Sequence, residues 1–256
     1  MSVNACAALV EAGDPDRFLA AMAAPASKRG ALFVLYALNL EVAKAPFVTQ
    51  EPMIAEMRLQ FWRDVVADAV AGKQPRAHEV AGPLADVIRD KQLPAEMLDQ
   101  MIAARRFDIY PDDRDNVPFD LEEFVARTAG NLMVLSALVC GMDAARCADA
   151  QRVGAAMGMA LWFQAVPALV GHQRVAAGDL DSDIIVQRAQ KALAGLQSAR
   201  RVDFGVATPA LRAAWQTKPI LRQAAQDPRR AVDGALGISE FRKRAGLLLR
   251  SLTERW

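Results

Sequence analysis

The sequence predicts an all-α fold, on three observations. Apolar residues recur at helical spacing and nowhere alternate with polar ones as in a half-buried strand. Helix starts and stops are marked by capping residues, prolines and glycines. Four segments, 28–45, 52–71, 120–140 and 145–171, are long and apolar enough to form an interior around which the others wrap. With no repeat or low-complexity tract, the expectation is one domain, residues 1–256, of roughly nine or ten helices.

Taken in order, Asp14-Pro15 places a capping aspartate ahead of a proline at the first helical position and opens DRFLAAMAA. Ser27 is the expected cap of the next helix, which is apolar almost all round: from Ala31 to Leu38 the one polar group is the Tyr36 hydroxyl. Pro52 opens the following helix and Gly72 closes it. Helices are expected at about 78–91 and 94–110, then an acidic, turn-rich loop (PDDRDNVP) over 111–118. Asp120 caps LEEFVARTAGNLMVLSALVC, which Gly141 stops. A long helix follows from Asp143 to about Gly171, bent by Pro167. Further starts fall at Ser182 or Asp183, at Thr208-Pro209 and at Ser239.

Several polar residues sit on apolar helix faces. Asn39 has Leu35, Tyr36, Val42 and Ala43 as helical neighbours, and Glu41 follows within the same turn. Arg58 lies among Ile54, Ala55, Phe61 and Trp62, and Gln164 among Ala160, Leu161, Pro167 and Ala168. A buried carboxylate needs a cationic or donor partner. An inward Asn39/Glu41/Arg58 cluster is therefore expected, either as a structural ion pair or as the wall of a ligand cavity.

The 256 residues carry 31 basic and 30 acidic side chains, a net charge of +1, so no basic footprint points to nucleic acid. Hydrophobic residues make up 53% and mean hydropathy is +0.08, which suits a large helical core or work against lipid. Cys6, Cys140 and Cys147 form no CxxC and read as reduced thiols. Apolar runs such as 132–142 fall short of a bilayer span, and the first residues do not read as a leader peptide. The expected location is the cytoplasm, with peripheral attachment to the inner face of a membrane as a further option.

Other motifs reduce to simpler readings. Asp179, Asp181 and Asp183 have EF-hand spacing, but Ile184 and Gln190 occupy the positions of its glycine and glutamate, so they are read as loop and cap. Asp112, Asp113 and Asp115 are read as solvated, Cys140 and Cys147 lack zinc partners, and no nucleophile elbow is present. The last helix, EFRKRAGLLLRSLTERW, is the most basic segment. Phe241, Leu248, Leu252 and Trp256 form its apolar side, expected to pack on the domain beneath a charged outer face; an interfacial membrane or partner helix is the alternative.

The runs KRGALFVLYALNLEVAKAPFV, EMRLQFWRDVVADAVAGKQP, DLEEFVARTAGNLMVLSALVCG and MGMALWFQAVPALVGHQR, in that order and spacing, resemble the squalene/phytoene synthase family over roughly residues 14–200. The resemblance implies an isoprenoid-synthase bundle with a central cavity. Active members join two prenyl diphosphates head to head, with two aspartate-rich motifs holding Mg²⁺ against the leaving groups. Here the first motif falls at Ala43 and Phe47, with a family arginine at Leu40, and the second near Leu169 and Gln173; none is a carboxylate. Phe124 stands where active synthases place a tyrosine, ahead of a retained Thr128-Ala129-Gly130 element.

The LNLEVA and RLQFWRD segments are similar to a divergent branch that includes mitochondrial complex I assembly factors and their α-proteobacterial relatives. This implies a non-catalytic binding or assembly protein, with no catalytic residue, metal or cofactor. Its partners would be an apolar or isoprenoid-like ligand and a respiratory-complex subunit or membrane surface. Tyr36, Asn39, Glu41, Arg58, Trp62, Arg63, Phe124 and Gln164 are then candidates to line or support the cavity. The alternative is a squalene- or phytoene-type prenyltransferase with displaced acids, Glu41, Asp64, Asp68 or Asp108, and only that reading brings in Mg²⁺.

Overall fold

Ser2 accepts a hydrogen bond from the Ala5 amide and starts α1 (Val3–Gly13), an element absent from the sequence expectation. The computed structural model describes residues 2–110, 113 and 120–256; most of the acidic loop, including Asp112 and Asp115, lies outside the described residues. α1 buries Cys6 and Val10 against the central helix. Asp14 caps α2 (Pro15–Met22), with Pro15 at its first position. The central helix, α3 (Ala26–Lys44), is capped by Pro25 rather than Ser27, and it buries the unbroken run Leu32–Asn39. A segment buried on every side cannot be amphipathic, which is why its sequence lacks a polar face.

α4 (Pro52–Val70) starts at its proline as expected and is followed by Gly72 at φ +70°. It is a flank rather than an interior helix. Ala55, Leu59, Trp62, Val65, Val66 and Ala69 face inward onto α5 (Ala81–Lys91) and α6 (Ala95–Ala103), whereas Met53, Ile54 and Met57 are exposed. The helix expected over 94–110 is two, α6 and a single turn, α7 (Arg106–Ile109).

Asp120 caps α8 (Leu121–Val125), its carboxylate accepting from the Glu123 amide. The chain then widens into a π turn over Ala126–Gly130 before α9 (Asn131–Val139). α10 (Cys147–Gly171) lies against this turn. The close approach depends on glycine, since a Cβ at Gly154 would collide with the Ala129 carbonyl and lie 2.5 Å from Met133 Cβ. The 144–171 segment is long and apolar enough to cross a membrane, contrary to the sequence expectation, but most of it is buried inside the fold.

α11 (Ser182–Ala199) begins at Asp181, whose carboxylate accepts from the Asp183 and Ile184 amides; Asp179 pairs with Arg188 at 2.8 Å. α12 (Thr208–Leu211), α13 (Thr217–Gln226) and α14 (Arg229–Val232) complete the surround, and Ser239 caps α15 (Glu240–Leu252). The described residues contain no strand. One hydrophobic core runs through α1 to α14, with a small satellite of Ala20, Trp215 and Leu247 beneath α15. This is the expected all-α, single-domain bundle.

Candidate functional site

A cavity of about 430 Å³ opens between α3, the α7 turn, α8 with its π turn, and α10. Its wall is mostly hydrocarbon and aromatic: Leu40 and Ala43 from α3, Phe124 and Val125 from α8, and Leu161, Trp162 and Leu169 from α10. The π turn brings Thr128 and Ala129 onto the same wall, a frequent use of such turns. Thr128 satisfies its hydroxyl by donating to the Phe124 carbonyl at 2.7 Å. At the open end Phe47 and His172, both exposed, meet edge-on.

Charge enters this apolar space through three side chains. Arg105 donates from Nη1 to Asp108 Oδ2 at 3.3 Å and from Nη2 to Asn39 Oδ1 at 3.3 Å, with its guanidinium 5.6 Å from the centre of the Phe124 ring. Arg17 reaches in from α2, donating from Nη1 to Asp14 at 2.5 Å and lying over the Tyr36 ring. The Nε groups of both arginines are buried with no partner, an expensive condition for a charged donor. Burial pushes the Asp108 carboxyl above its ordinary range, against the pull of Arg105 and Arg174. The same burial lowers Arg105, with Asp108 opposing, and a guanidinium remains charged regardless.

The candidate residues separate into groups. Asn39 and Phe124 line the cavity. Tyr36 stands behind it, supporting Arg17, and burial pushes its hydroxyl up to about 12. Gln164 borders a smaller neighbouring cleft that Arg17 also reaches, and its Nε2 donates to the Leu236 carbonyl at 3.4 Å.

The other four lie elsewhere, so the expected inward Glu41/Arg58 cluster does not form. Glu41 is on the opposite side of α3, 3.9 Å from His78 Nε2 and 3.7 Å from Lys44. Arg58 is exposed because the first turns of α4 are covered only along Ala55 and Leu59. Arg63 donates to both carboxylate oxygens of Asp99 at 2.6 and 3.1 Å on the surface. Trp62 is buried in a separate aromatic cluster, its ring centre 4.8 Å from that of His78.

Of the four acids considered as displaced ligands, only Asp108 lines the cavity. Asp64 and Asp68 pair with Arg76 at the far end of α4. Of the residues expected at the family's motif positions, Leu40, Ala43, Phe47 and Leu169 lie on the wall, whereas Gln173 is exposed beyond α10 with φ +56°. Among the described residues no group of three or more His, Cys, Asp or Glu side chains is placed to hold a metal ion. Sequence reasoning missed Arg17 and Arg105. Arg17 carries the signal that singled out Arg58, with Ala20 and Ala21 at i+3 and i+4; Arg105 sits in an RRFD run that reads as a solvated face.

Comparison with known proteins adds two groups of relatives. The family model described as squalene/phytoene synthase matches residues 10–177. Curated relatives described as NADH dehydrogenase (ubiquinone) complex I, assembly factor 6 are 28% identical over 171 residues in Bos taurus and 26% over 163 residues in Homo sapiens. The Drosophila melanogaster homolog is 30% identical over 175 residues. These alignments cover 66%, 63% and 66% of this chain, and 51%, 48% and 52% of the relatives. The chain thus spans about half the length of the curated relatives it matches. A ligand-bound dehydrosqualene synthase has the same fold at a TM-score of 0.76 and 15% identity, over 98% of this chain and 96% of its own. The squalene synthase HpnC from Alicyclobacillus acidocaldarius matches at 0.68 and 16%, over 90% and 94%.

Proposed function

The chain belongs to the squalene/phytoene synthase family, and from that premise we propose that it is a non-catalytic binding and assembly protein whose cavity holds an apolar molecule with a singly charged acidic head. The observation that carries this reading is the composition of the wall. Leu40, Ala43, Phe47 and Leu169, which the resemblance sets at the family's charged positions, line it, and Asp108 is the one carboxylate among the described lining residues. Magnesium bound to a diphosphate needs several hard oxygen donors, and this donor set does not fit it. A diphosphate without that neutralisation is strongly disfavoured in an apolar space.

The charges that are present suit a smaller head. Arg17 and Arg105 are each matched by an aspartate, while Arg174, which also acts on Asp108, donates to the carbonyls of Ile109 and Pro46. Three guanidiniums against two carboxylates leave one net positive charge. A carboxylate would balance that charge, and its apolar tail would lie along Phe124, Leu161 and Trp162. The relatives' description as complex I assembly factors supports a role in building a respiratory complex, with a subunit of that complex as partner. Cys6, Cys140 and Cys147 are free thiols, which supports work in a reducing compartment such as the cytoplasm.

The test is incubation with farnesyl or geranylgeranyl diphosphate, Mg²⁺ and NADPH, beside thermal unfolding with a long-chain fatty acid. We expect no C30 or C40 product, and a fatty acid at 100 times its Kd should stabilise the fold by about 2.7 kcal/mol. Product formation would establish the alternative, a prenyltransferase relying on Asp108. Stabilisation by Mg²⁺-diphosphate but not by the fatty acid would refute the proposed head group.

A further inference from the structure

α15 is turned inside out relative to an ordinary surface helix. Leu247 is its one buried large side chain, and Lys243 also faces the domain, 3.8 Å from Asp16 and 2.9 Å from Glu240. Arg250 folds back to the Gly246 carbonyl at 3.0 Å. The outward face carries Phe241, Leu248, Leu249 and Leu252, which are 81%, 60%, 62% and 74% exposed. At 100° per residue these four and Ala245 fall within one sector about 100° wide. Arg244 borders one edge of that sector and Arg242 the other, both exposed. This reverses the sequence expectation for Phe241, Leu248 and Leu252, whereas Trp256 packs on the domain as expected, its ring centre 5.9 Å from that of Phe204.

The surface continues onto α2, where Leu19 and Met22 are exposed, and Leu19 faces Leu248 across a shallow groove that Lys243 and Arg244 also line. Residues 239–256 hold five basic and two acidic side chains, a net of +3, while the whole chain is +1; the remainder is therefore −2. The net positive charge of the chain thus lies in the segment that carries this apolar face.

We propose that the outward face of α15 docks on an anionic lipid surface, with Phe241, Leu248 and Leu252 in the acyl boundary and Arg242 and Arg244 at phosphate depth. A wide apolar sector edged by arginines is the pattern of helices that lie in a membrane interface. Each basic side chain near an anionic surface adds about fivefold to partitioning. A second copy of this chain is a poor occupant, because the Arg242 and Arg244 edges of the two faces would meet. The docking does not depend on what the cavity holds.

The experiment is co-sedimentation of the full chain with vesicles of phosphatidylcholine, with or without about 30 mol % phosphatidylglycerol. Binding is expected to the anionic vesicles, with little to the neutral ones and loss at about 0.5 M salt, where the Debye length falls to a few ångströms. Phe241→Ser/Leu248→Ser/Leu252→Ser should weaken binding by about tenfold or more. Arg242→Gln/Arg244→Gln should weaken it by about 25-fold, and both variants should keep the parent's melting temperature because these side chains are exposed. The proposal is overturned if the parent does not sediment with anionic vesicles, or if both variants bind as the parent does. It is equally overturned if sedimentation velocity shows a dimer that the triple variant dissolves, or if the face captures a protein subunit while ignoring lipid.

Discussion

The ring of Phe47 meets the imidazole of His172 edge-on, with centroids 5.7 Å apart, at the open end of the cavity. One comes from the loop after α3 and the other from the end of α10, so two elements that do not otherwise share a cap close on the same opening. Phe47→Ala should widen it. The dissociation rate of a bound fluorescent fatty acid, followed by stopped flow, should rise severalfold while stability falls by about 1 kcal/mol, less than for a core phenylalanine because this ring is half in solvent.

Arg105 and Asp108 form a buried pair with Asn39 as a third member. Removing one partner strands the other. Arg105→Met should cost about 3–5 kcal/mol in urea unfolding, whereas Arg105→Met/Asp108→Leu should cost much less, because both desolvated charges leave together. Equal losses in the two variants would show that packing over Phe124, rather than charge, sets the cost.

The raised Asp108 carboxyl has a pH consequence. An acid whose folded pKa exceeds its unfolded value of about 3.9 favours the folded state below that value, and the advantage is lost as pH rises through the folded pKa. The melting temperature of the parent relative to Asp108→Asn should therefore improve as pH falls from about 8 towards 4. Scanning calorimetry across that range reads the trend, and the opposite slope would mean that Arg105 outweighs burial.

Burial pushes the Cys6 and Cys140 thiols up to about 11, and Cys147 is raised less and is half-buried. In the folded protein a thiolate-selective reagent should modify Cys147 first, and all three only after unfolding. Peptide mass spectrometry of a labelling time course distinguishes the sites.

Two helix glycines should respond oppositely to alanine. Gly154→Ala drives a methyl into the Ala129 carbonyl and Met133 and should cost about 2 kcal/mol or more. Gly195, inside α11 with nothing within 4 Å of its missing Cβ, should gain about 0.5–1 kcal/mol as alanine. Thermal melts of the two single variants suffice.

The bundle was legible because its helices announce themselves locally: Asp14-Pro15, Pro52, Asp120 and Ser239 all start helices, and the run around Leu35 is buried as its composition requires. Orientation was harder to read. Arg17 and Arg58 both have apolar neighbours at i+3 and i+4, yet one is buried and the other exposed, because coverage by another element decides the matter. α15 was misleading for the same reason, since a helical wheel gives an apolar side without saying whether the domain or something else faces it. The cavity wall was readable at Leu40, Ala43 and Leu169 only through family resemblance; Arg105 and His172 are assembled by contacts far apart in the chain.

The wide turn at Ala126–Gly130 holds one backbone unit more than an α-helix would use there. Deleting a single residue within it would let α8 and α9 fuse into one regular rod and would remove the widened turn that sets Thr128 and Ala129 on the chamber wall. The shape of the binding space is thus tied to a reading-frame-preserving indel of one codon, so close relatives that lack the extra residue should accommodate differently shaped cargo.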